Sequence, residues 1–207
     1  MDAKTFSIPI FPLPKVVFFP NTLLPLHIFE PRFKEMVGDC LTGDGVIGIA
    51  QLKPGWETDY YGAPPVYRIL GIGEIVNSRK WDDGRYDIVL LGRHRGQIVR
   101  ENTQGQYRVA DVELLSDFTS AERDRQVQAD YQPLLRLFQK LNEVMPETAD
   151  ALDEEKRPAP PPGPLADIMA SALIENPYEK QCILSELDVA RRLKLVTIQL
   201  ETMLAQH

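Results

Sequence analysis

The chain has 207 residues, of which 43% are hydrophobic and 26% are charged, and its formal net charge at pH 7 is −7. These values are typical of a soluble globular protein with one or two domains. The acidic balance argues against general nucleic-acid binding. The sequence shows neither a signal peptide nor a long uninterrupted apolar run, which predicts a cytoplasmic protein without membrane association.

The residue types that carry catalysis and metal binding are few and scattered. Cys40 and Cys182 each sit in an apolar helical pattern, which predicts buried, reduced thiols. Two lone cysteines without nearby histidines do not make a zinc site. His27, His94 and His207 fall in no triad, nucleophile-elbow or zinc motif. We therefore predict no catalytic residue, no metal site and no cofactor.

The stretch from Ile8 to Leu41 is apolar and interrupted by six prolines. Each proline fixes φ and removes a backbone donor, so the stretch predicts short edge strands and tight turns. A helix is predicted to start at Pro31, because proline suits the first helical position and apolar residues then recur at helical spacing. The six prolines are Pro9, Pro12, Pro14, Pro20, Pro25 and Pro31.

The pattern from residue 6 to about residue 116 is mainly that of β-strands. Asp82-Asp83-Gly84 predicts a hairpin turn, because glycine tolerates positive φ. Gly71-Ile72-Gly73 lacks the third glycine and the following helix of a nucleotide-binding turn, so it predicts close backbone packing instead. The predicted strands are Phe6–Ile10, Lys15–Phe18, Val46–Gln51, Val66–Val76, Tyr86–Leu91, Gln97–Glu101 and Tyr107–Leu114.

The remaining residues predict helices. Thr119 and Glu122 have the spacing of a capping box, and a helical stripe follows that Pro133 is predicted to kink or split. A proline-rich linker is predicted at 146–164, with little helix. Three more helices are predicted over 165–173, 178–184 and 185–204, the last capped by Ser185. We thus divide the chain into a mainly β part, residues 1–118, and a helical part, residues 119–207.

The sequence contains several short motifs at fixed spacing. They are Ile10-Phe11-Pro12-Leu13, Val16-Val17, Phe19-Pro20, Pro25-Leu26, Ile28-Phe29-Glu30-Pro31-Arg32-Phe33, Gly84-Arg85-Tyr86-Asp87, Gly92-x-x-Arg95, Lys180-Gln181-Cys182-Ile183-Leu184-Ser185-Glu186 and Arg192-Leu193. Together these motifs resemble the Lon N-terminal (substrate-binding) domain family. The departure at Gly96-Gln97, where the family usually has an aromatic residue after Arg95, predicts a bulge in that strand.

This resemblance implies an α+β fold with a PUA-like β-barrel-type N-terminal subdomain followed by a C-terminal helical bundle. Lon proteases continue into an ATPase domain and a protease domain, which 207 residues cannot also contain. The sequence has no Gly-Lys pair of a P-loop and no serine–lysine peptidase segment. The resemblance therefore implies a stand-alone, non-catalytic recognition domain, and not an enzyme.

Four charged residues are predicted to be structural. Glu30 and Arg32 flank the proline at a helix start, where a carboxylate can cap the helix and pair with the arginine. Arg85 and Arg95 are predicted to pair with carboxylates across the sheet.

The segment Gln51–Tyr67 contains the candidate peptide-binding residues. Trp56, Tyr60 and Tyr61 lie in a loop-like context, where rigid aromatic rings suit transient binding of apolar peptide segments. The alternative is a loop that folds over the end of the barrel and buries its own rings.

Three functional hypotheses follow. The leading one is a module that binds unfolded or hydrophobic polypeptide segments. The second is an adaptor that docks to one specific protein partner. The third, which we rank lowest, is RNA binding, suggested by arginines and aromatic residues over 79–108 in a PUA-like fold, although alternating charges usually mark a solvated strand face. The oligomeric state stays open.

Overall fold

The protein has an α+β fold, as predicted. The computed structural model describes residues 5–102, 105–119, 124–144 and 159–204. These residues form β1 (Thr5–Leu13), β2 (Leu23–Ile28), α1 (Pro31–Thr42), β3 (Val46–Gln51), β4 (Ile69–Lys80), β5 (Tyr86–Asn102), β6 (Arg108–Leu115), α2 (Asp124–Val144), α3 (Pro162–Leu173), α4 (Pro177–Ser185) and α5 (Val189–Leu204).

The six strands form one sheet that closes on itself. Their order is β2-β5-β4-β3-β1-β6, and β5 also pairs with β6, which completes a five-stranded barrel with β2 as an added edge strand. All neighbouring pairs are antiparallel except β1–β3. The strand β5 covers both predicted strands from Tyr86 to Glu101. The register of β5 shifts near Arg93 in its pairing with β4 and near Val99 in its pairing with β6. The irregularities thus lie on both sides of Gly96, and not at the position predicted.

The segment Val16–Phe19, which we call the crossing segment, is not the strand predicted there. Lys15 adopts a φ of 59°, which ends β1 and turns the chain onto the face of the sheet. Phe18 then passes so close to β4 that a Cβ on Gly71 would lie 2.0 Å from its carbonyl oxygen. Gly92 is equally close to the carbonyl of Phe19. Glycines are therefore needed where the chain crosses, and the prediction of close packing at Gly71 is confirmed.

The crossing segment lies between the barrel and the helices. Val17 and Phe19 are buried against the helices, whereas Phe18 is buried in the barrel core beside α1. A second cluster fills the rest of the barrel and includes Ile10 and Leu70. One extended segment thus contributes alternate side chains to two separate cores, as an extended backbone allows.

α2 runs unbroken through Pro133, so the predicted split does not occur and the alternative of a kink stays a prediction. The other helices differ from prediction in three respects. α3 begins at Pro162, inside the predicted linker, because a proline at a helix start loses no intrahelical bond. α5 is capped by Asp188, whose carboxylate accepts from two backbone amides, and not by Ser185. Cys182 is exposed, because α4 buries its neighbours instead.

The structure does not test the predicted capping box, the predicted linker or the predicted division of the chain in full. Glu122 of the predicted capping box and residues 146–158 of the predicted linker lie outside the described residues. β6 ends at Leu115 and α2 begins at Asp124, on either side of the proposed division at residue 118. That division stays a prediction.

A buried group of charges joins the barrel to the helices. Arg95 from β5 donates to both carboxylate oxygens of Asp167 on α3 and, at 2.9 Å, to the carbonyl of Leu184. Arg192 from α5 donates to Asp117, which follows β6, and its Nε lies 3.2 Å from Asp167 Oδ1. We call Arg95, Asp117, Asp167 and Arg192 the interdomain cluster. Two arginines and two aspartates balance in charge.

Candidate functional site

The predicted aromatic segment is a loop between β3 and β4, residues 52–68, which we call the aromatic loop. Its base is held by backbone bonds from Lys53 N to Pro65 O and from Tyr67 N to Gln51 O, each 2.9 Å long. Gly55 adopts a φ of 90° and starts a short 3-10 turn at Trp56–Thr58. The loop therefore has a fixed base and a sharp turn that presents its aromatic residues.

The three predicted aromatic residues lie in a row, with unequal exposure. The ring centroids of Trp56 and Tyr60 are 5.6 Å apart, and those of Tyr60 and Tyr61 are 5.2 Å apart, both in edge-on arrangements. Trp56 and Tyr60 pack against the barrel core and are half-buried. Tyr61 is 87% exposed. Two rings thus fold over the barrel end, and the third is presented to solvent.

Glu30 and Arg32 form an ion pair beside these rings. Arg32 Nε lies 3.0 Å from Glu30 Oε2, and Tyr60 donates its hydroxyl to Glu30 Oε1 at 2.6 Å. The carboxylate makes no capping bond to the amides of α1, so it ties helix to loop instead. The Arg32 guanidinium carbon lies 5.1 Å from the ring centroid of Tyr60 and 5.9 Å from that of Tyr61. We call Glu30, Arg32, Tyr60 and Tyr61 the loop cluster.

A pocket of about 360 Å³ opens next to the loop cluster. It lies between the aromatic loop, the start of α1 and the start of β6. Its volume is within the roughly 300–1,000 Å³ range of ligand sites in proteins. Its walls are formed by Pro12, Arg32, Phe33, Leu52, Tyr60, Tyr61, Gly62, Ala63, Pro64, Gly105, Gln106, Tyr107 and Arg108.

Two tyrosines of this pocket have raised pKa values. Burial raises the pKa of Tyr60, and its hydrogen bond to Glu30 raises it further. Burial also raises the pKa of Tyr107, to about 12, together with its 2.7 Å hydrogen bond to Asp39. Both phenols are therefore neutral hydrogen-bond donors at neutral pH.

The structure places the other predicted charged residues away from the pocket. Arg85 pairs with Asp83 at 2.6 Å within the β4–β5 turn, and its Nη1 lies 3.3 Å from His27 Nε2. Arg95 is in the interdomain cluster, where it pairs with Asp167 on α3 and lies 3.6 Å from Asp117, which follows the neighbouring strand β6. The predicted charged residues thus lie in three separate places.

The basic residues over 79–108 are largely neutralised by neighbours. Five of these seven cations are paired with carboxylates, namely Arg85, Arg93, Arg95, Arg100 and Arg108. The other two stack on aromatic rings, Arg79 on Trp81 and Lys80 on Tyr86. Apart from the buried Arg95, these contacts are typical of a solvated strand face with local ion pairs.

The described residues contain neither a candidate metal-binding group nor a membrane-spanning helix. No group of three or more His, Cys, Asp and Glu side chains there could hold a metal ion. Within the same residues, no helix combines the length and apolar character needed to cross a membrane.

Sequence reasoning missed Asp167 of the interdomain cluster and Tyr107 of the pocket. Asp167 interrupts the apolar run Leu165–Met169, and a lone acid in such a run was a usable signal for a buried ion pair. Tyr107, which forms a wall of the pocket, is bonded to a carboxylate 68 residues away. No local pattern in the sequence indicates that pairing.

Comparisons with known proteins identify the family. The family described as the ATP-dependent protease La (LON) substrate-binding domain matches residues 7–202. The chain belongs to this family. It is 32% identical over 189 residues to Lon protease 2 of Myxococcus xanthus, covering 91% of this chain and 23% of that protein. It is 31% identical over 193 residues to the Lon protease of Dictyoglomus thermophilum, covering 93% of this chain and 24% of that protein.

Solved structures of Lon N-terminal domains share this fold. The N-terminal domain of Mycobacterium avium complex Lon protease matches with a TM-score of 0.67 and 18% identity, over 92% of this chain and 96% of that one. A Lon N-terminal domain protein from Xanthomonas campestris matches with a TM-score of 0.63 and 19% identity, over 93% and 98%. The chain spans about a quarter of the length of the Lon proteases that it matches. The matches do not extend to the Lon ATPase or protease domains, so they do not indicate catalysis.

Proposed function

We propose that this chain is a non-catalytic module that binds unfolded or hydrophobic polypeptide segments in the cytoplasm, with the aromatic loop as its contact surface. Membership of the Lon substrate-binding family supports polypeptide recognition in general. The observation that carries the proposal for this surface is an 87% exposed Tyr61 at the edge of a pocket of about 360 Å³.

The half-buried rings give Tyr61 a rigid base. Tyr60 is held by its hydrogen bond to Glu30 and by the guanidinium of Arg32, so Tyr61 rests edge-on against a fixed neighbour. An aromatic side chain fixed in this way offers contact area with little loss of entropy on binding. The exposed ring therefore suits contact with apolar side chains of an extended segment.

The expected affinity is modest. One ring and one small pocket must offset the entropy lost on association, so we expect a Kd of about 1 μM. Because the contact involves a few side chains and not a folded surface, we expect binding to depend on unfolding of the client.

The test is a titration of labelled, reduced and carboxymethylated lactalbumin with this chain, followed by fluorescence anisotropy. Native lactalbumin is the folded counterpart. We expect saturable binding to the unfolded form alone, and we expect Tyr61→Ala to weaken it about tenfold or more, as loss of a central aromatic contact does.

Tyr178→Ala is the matched control, because Tyr178 is 62% exposed and lies on α4, in the helical half. It should leave binding unchanged. Equal losses in both variants, or none in Tyr61→Ala, would exclude the aromatic loop as the contact surface. If neither form of lactalbumin binds, the recognition proposal fails and a dedicated protein partner becomes the better hypothesis.

A further inference from the structure

The charged side chains in the walls of the pocket beside the aromatic loop are basic. Among the described residues, Arg32 and Arg108 line this pocket and no carboxylate does. Each arginine has a carboxylate partner outside the walls. Glu30 lies 3.0 Å from Arg32, and Glu101 accepts from Arg108. The two arginines differ in how many of their donors these partners use.

Arg108 is committed to the wall itself. Its Nη1 donates to the carbonyl oxygen of Pro64 at 2.8 Å, and its Nη2 donates to Glu101. Its Nε is buried, and the side chain as a whole is 11% exposed. Arg108 therefore holds the aromatic loop against β6 and offers little to a ligand.

Arg32 keeps one edge of its guanidinium group free. Its Nε donates to Glu30, whereas neither Nη atom has a carboxylate or carbonyl partner among the residues that the structure describes. Its guanidinium carbon lies 4.5 Å from the ring centroid of Phe33 and 5.1 Å from that of Tyr60, so aromatic rings hold it in place. A guanidinium with both Nη groups free can bind a carboxylate through two parallel hydrogen bonds.

The interdomain cluster shows the same arrangement with both edges filled. Arg192 donates from both Nη atoms to Asp117, while its Nε lies 3.2 Å from Asp167. One guanidinium in this chain thus has a different carboxylate on each edge. The Nη edge of Arg32 corresponds to the edge of Arg192 that Asp117 occupies. Pairing with Glu30 on the Nε edge therefore leaves room for a second carboxylate.

Resting on the proposed function, we propose that Arg32 selects polypeptide segments in which a glutamate or aspartate adjoins an apolar or aromatic residue. The acidic side chain would meet both Nη atoms of Arg32 in the pocket, while the backbone stays extended across Tyr61 and the apolar neighbour packs on that ring. A basic side chain would face two guanidinium groups. Complementary charge of this kind governs which partners are accepted more than it governs raw affinity.

The test uses fluorescein-labelled peptides with amidated C-termini. They share two Leu-Phe pairs and differ in the single residue between the pairs, which is glutamate, glutamine or lysine. We expect the glutamate peptide to bind at least about tenfold more tightly than the glutamine peptide, and the lysine peptide to bind most weakly. The glutamate-to-glutamine ratio should shrink between about 0.02 M and about 0.5 M salt, because Arg32 is partly exposed and its charge is screened.

A fourth peptide separates an acidic side chain from a chain end. It is the glutamine peptide with a free C-terminal carboxylate. We expect it to bind like its amidated counterpart. Binding as tight as that of the glutamate peptide would overturn the assignment to a side chain, because the end of a chain would then serve equally well.

Arg32→Lys tests the paired hydrogen bonds and leaves the net charge unchanged. Lysine is a point charge without the two parallel donors, so the glutamate-to-glutamine ratio should fall to about threefold or less. Arg79→Lys is the matched control, because Arg79 also stacks on a ring, that of Trp81 at 4.0 Å, and does not line this pocket. It should leave the ratio unchanged. If Arg32 only supported the loop, Arg32→Lys would weaken all the peptides equally and the ratio would stay the same.

Glu30→Gln should act in the opposite direction. It removes the carboxylate that offsets the charge of Arg32, and its amide oxygen can still accept the hydroxyl of Tyr60. We expect the glutamate-to-glutamine ratio to rise about threefold. Glu74→Gln is the control, because it removes the same charge from a surface pair with Arg93 on the sheet. An equal rise in both variants would mean that net charge, and not Arg32, sets the ratio.

The outcomes are distinguishable from failure of the proposed function. Equal binding of the glutamate, glutamine and lysine peptides would overturn the preference for acidic segments and leave polypeptide recognition standing. Tighter binding of the lysine peptide would overturn it as well. No binding by any of the peptides would count against both proposals.

Discussion

The interdomain cluster and the loop cluster use the same pairing of arginine with a carboxylate in opposite surroundings. In the interdomain cluster, the side chains of Arg95 and Asp167 are 3% and 1% exposed. In the loop cluster, those of Arg32 and Glu30 are 21% and 18% exposed. In the interdomain cluster, each guanidinium is surrounded by carboxylate and carbonyl oxygens. In the loop cluster, the guanidinium of Arg32 packs on aromatic rings at the edge of a pocket.

This difference teaches what burial does to an ion pair. A buried pair costs desolvation, and removal of one partner leaves an uncompensated charge, whereas a pair near the surface contributes about 0–1 kcal/mol. The interdomain cluster is therefore placed to fix how the helices sit on the barrel. The loop cluster is placed to shape a surface.

The largest effect is expected at Asp167. Asp167→Ala leaves the two buried arginines with Asp117 as the remaining carboxylate of the cluster, and should lower the free energy of unfolding by about 3–5 kcal/mol. Urea unfolding followed by circular dichroism measures this. Asp83→Ala is the control, because Asp83 pairs with Arg85 on the surface. Losses of similar size in the two variants would remove the distinction between the clusters.

Ion pairs between residues that are close in sequence could be predicted, whereas pairs between distant residues could not. Glu30 and Arg32 are two residues apart, so their pairing could be predicted from a helix start. Arg95 and Asp167 are 72 residues apart, and their contact depends on how α3 docks on the barrel. Periodicity indicates which face of a helix is buried, but not which residue of another element it meets.

The crossing segment shows the same limit in the fold. Val16–Phe19 is apolar and rich in β-forming residues, so it predicts a strand. Its side chains do alternate, but between two cores, and the segment lies on the sheet and not in it. An alternating pattern reports extended backbone and burial, and it does not report which hydrogen bonds are made.

The site was predicted in part for a similar reason. The aromatic residues of the loop are close in sequence, so their grouping could be recognised. The wall formed by Tyr107 lies immediately before β6, and its position is set by barrel closure. The role of the aromatic loop in binding stays a prediction.

A smaller effect is expected within the loop cluster. Tyr60→Phe removes the hydroxyl that donates to Glu30 at 2.6 Å, and should lower the free energy of unfolding by about 1 kcal/mol. Tyr61→Phe is the matched control, because Tyr61 is 87% exposed, and should change it by less than about 0.5 kcal/mol. The same urea unfolding measures both. A loss for Tyr60→Phe as large as that for Asp167→Ala would show that the loop cluster stabilises the fold equally.

The smallest effect concerns alkaline pH, and it tests the burial of Tyr107 in the wall of the pocket. Burial and the hydrogen bond to Asp39 raise the pKa of Tyr107 to about 12, above the ordinary value of about 10. A raised pKa means that the folded state favours the neutral phenol. This contribution to stability is complete below about pH 10 and is lost as the pH rises toward about 12.

The measurement is the ultraviolet absorbance of phenolate during an alkaline titration, compared between the native chain and Tyr107→Phe. We expect the variant to lack a tyrosine that ionises near pH 12. The stability difference between the two proteins should also change across that interval, because only the native chain gains this charge. Ionisation of Tyr107 near pH 10 would mean that neither burial nor the hydrogen bond to Asp39 disfavours its charged form in the folded state. In that case the pocket wall beside the loop cluster would be well solvated, and its contrast in burial with the interdomain cluster would be greater than the structure shows.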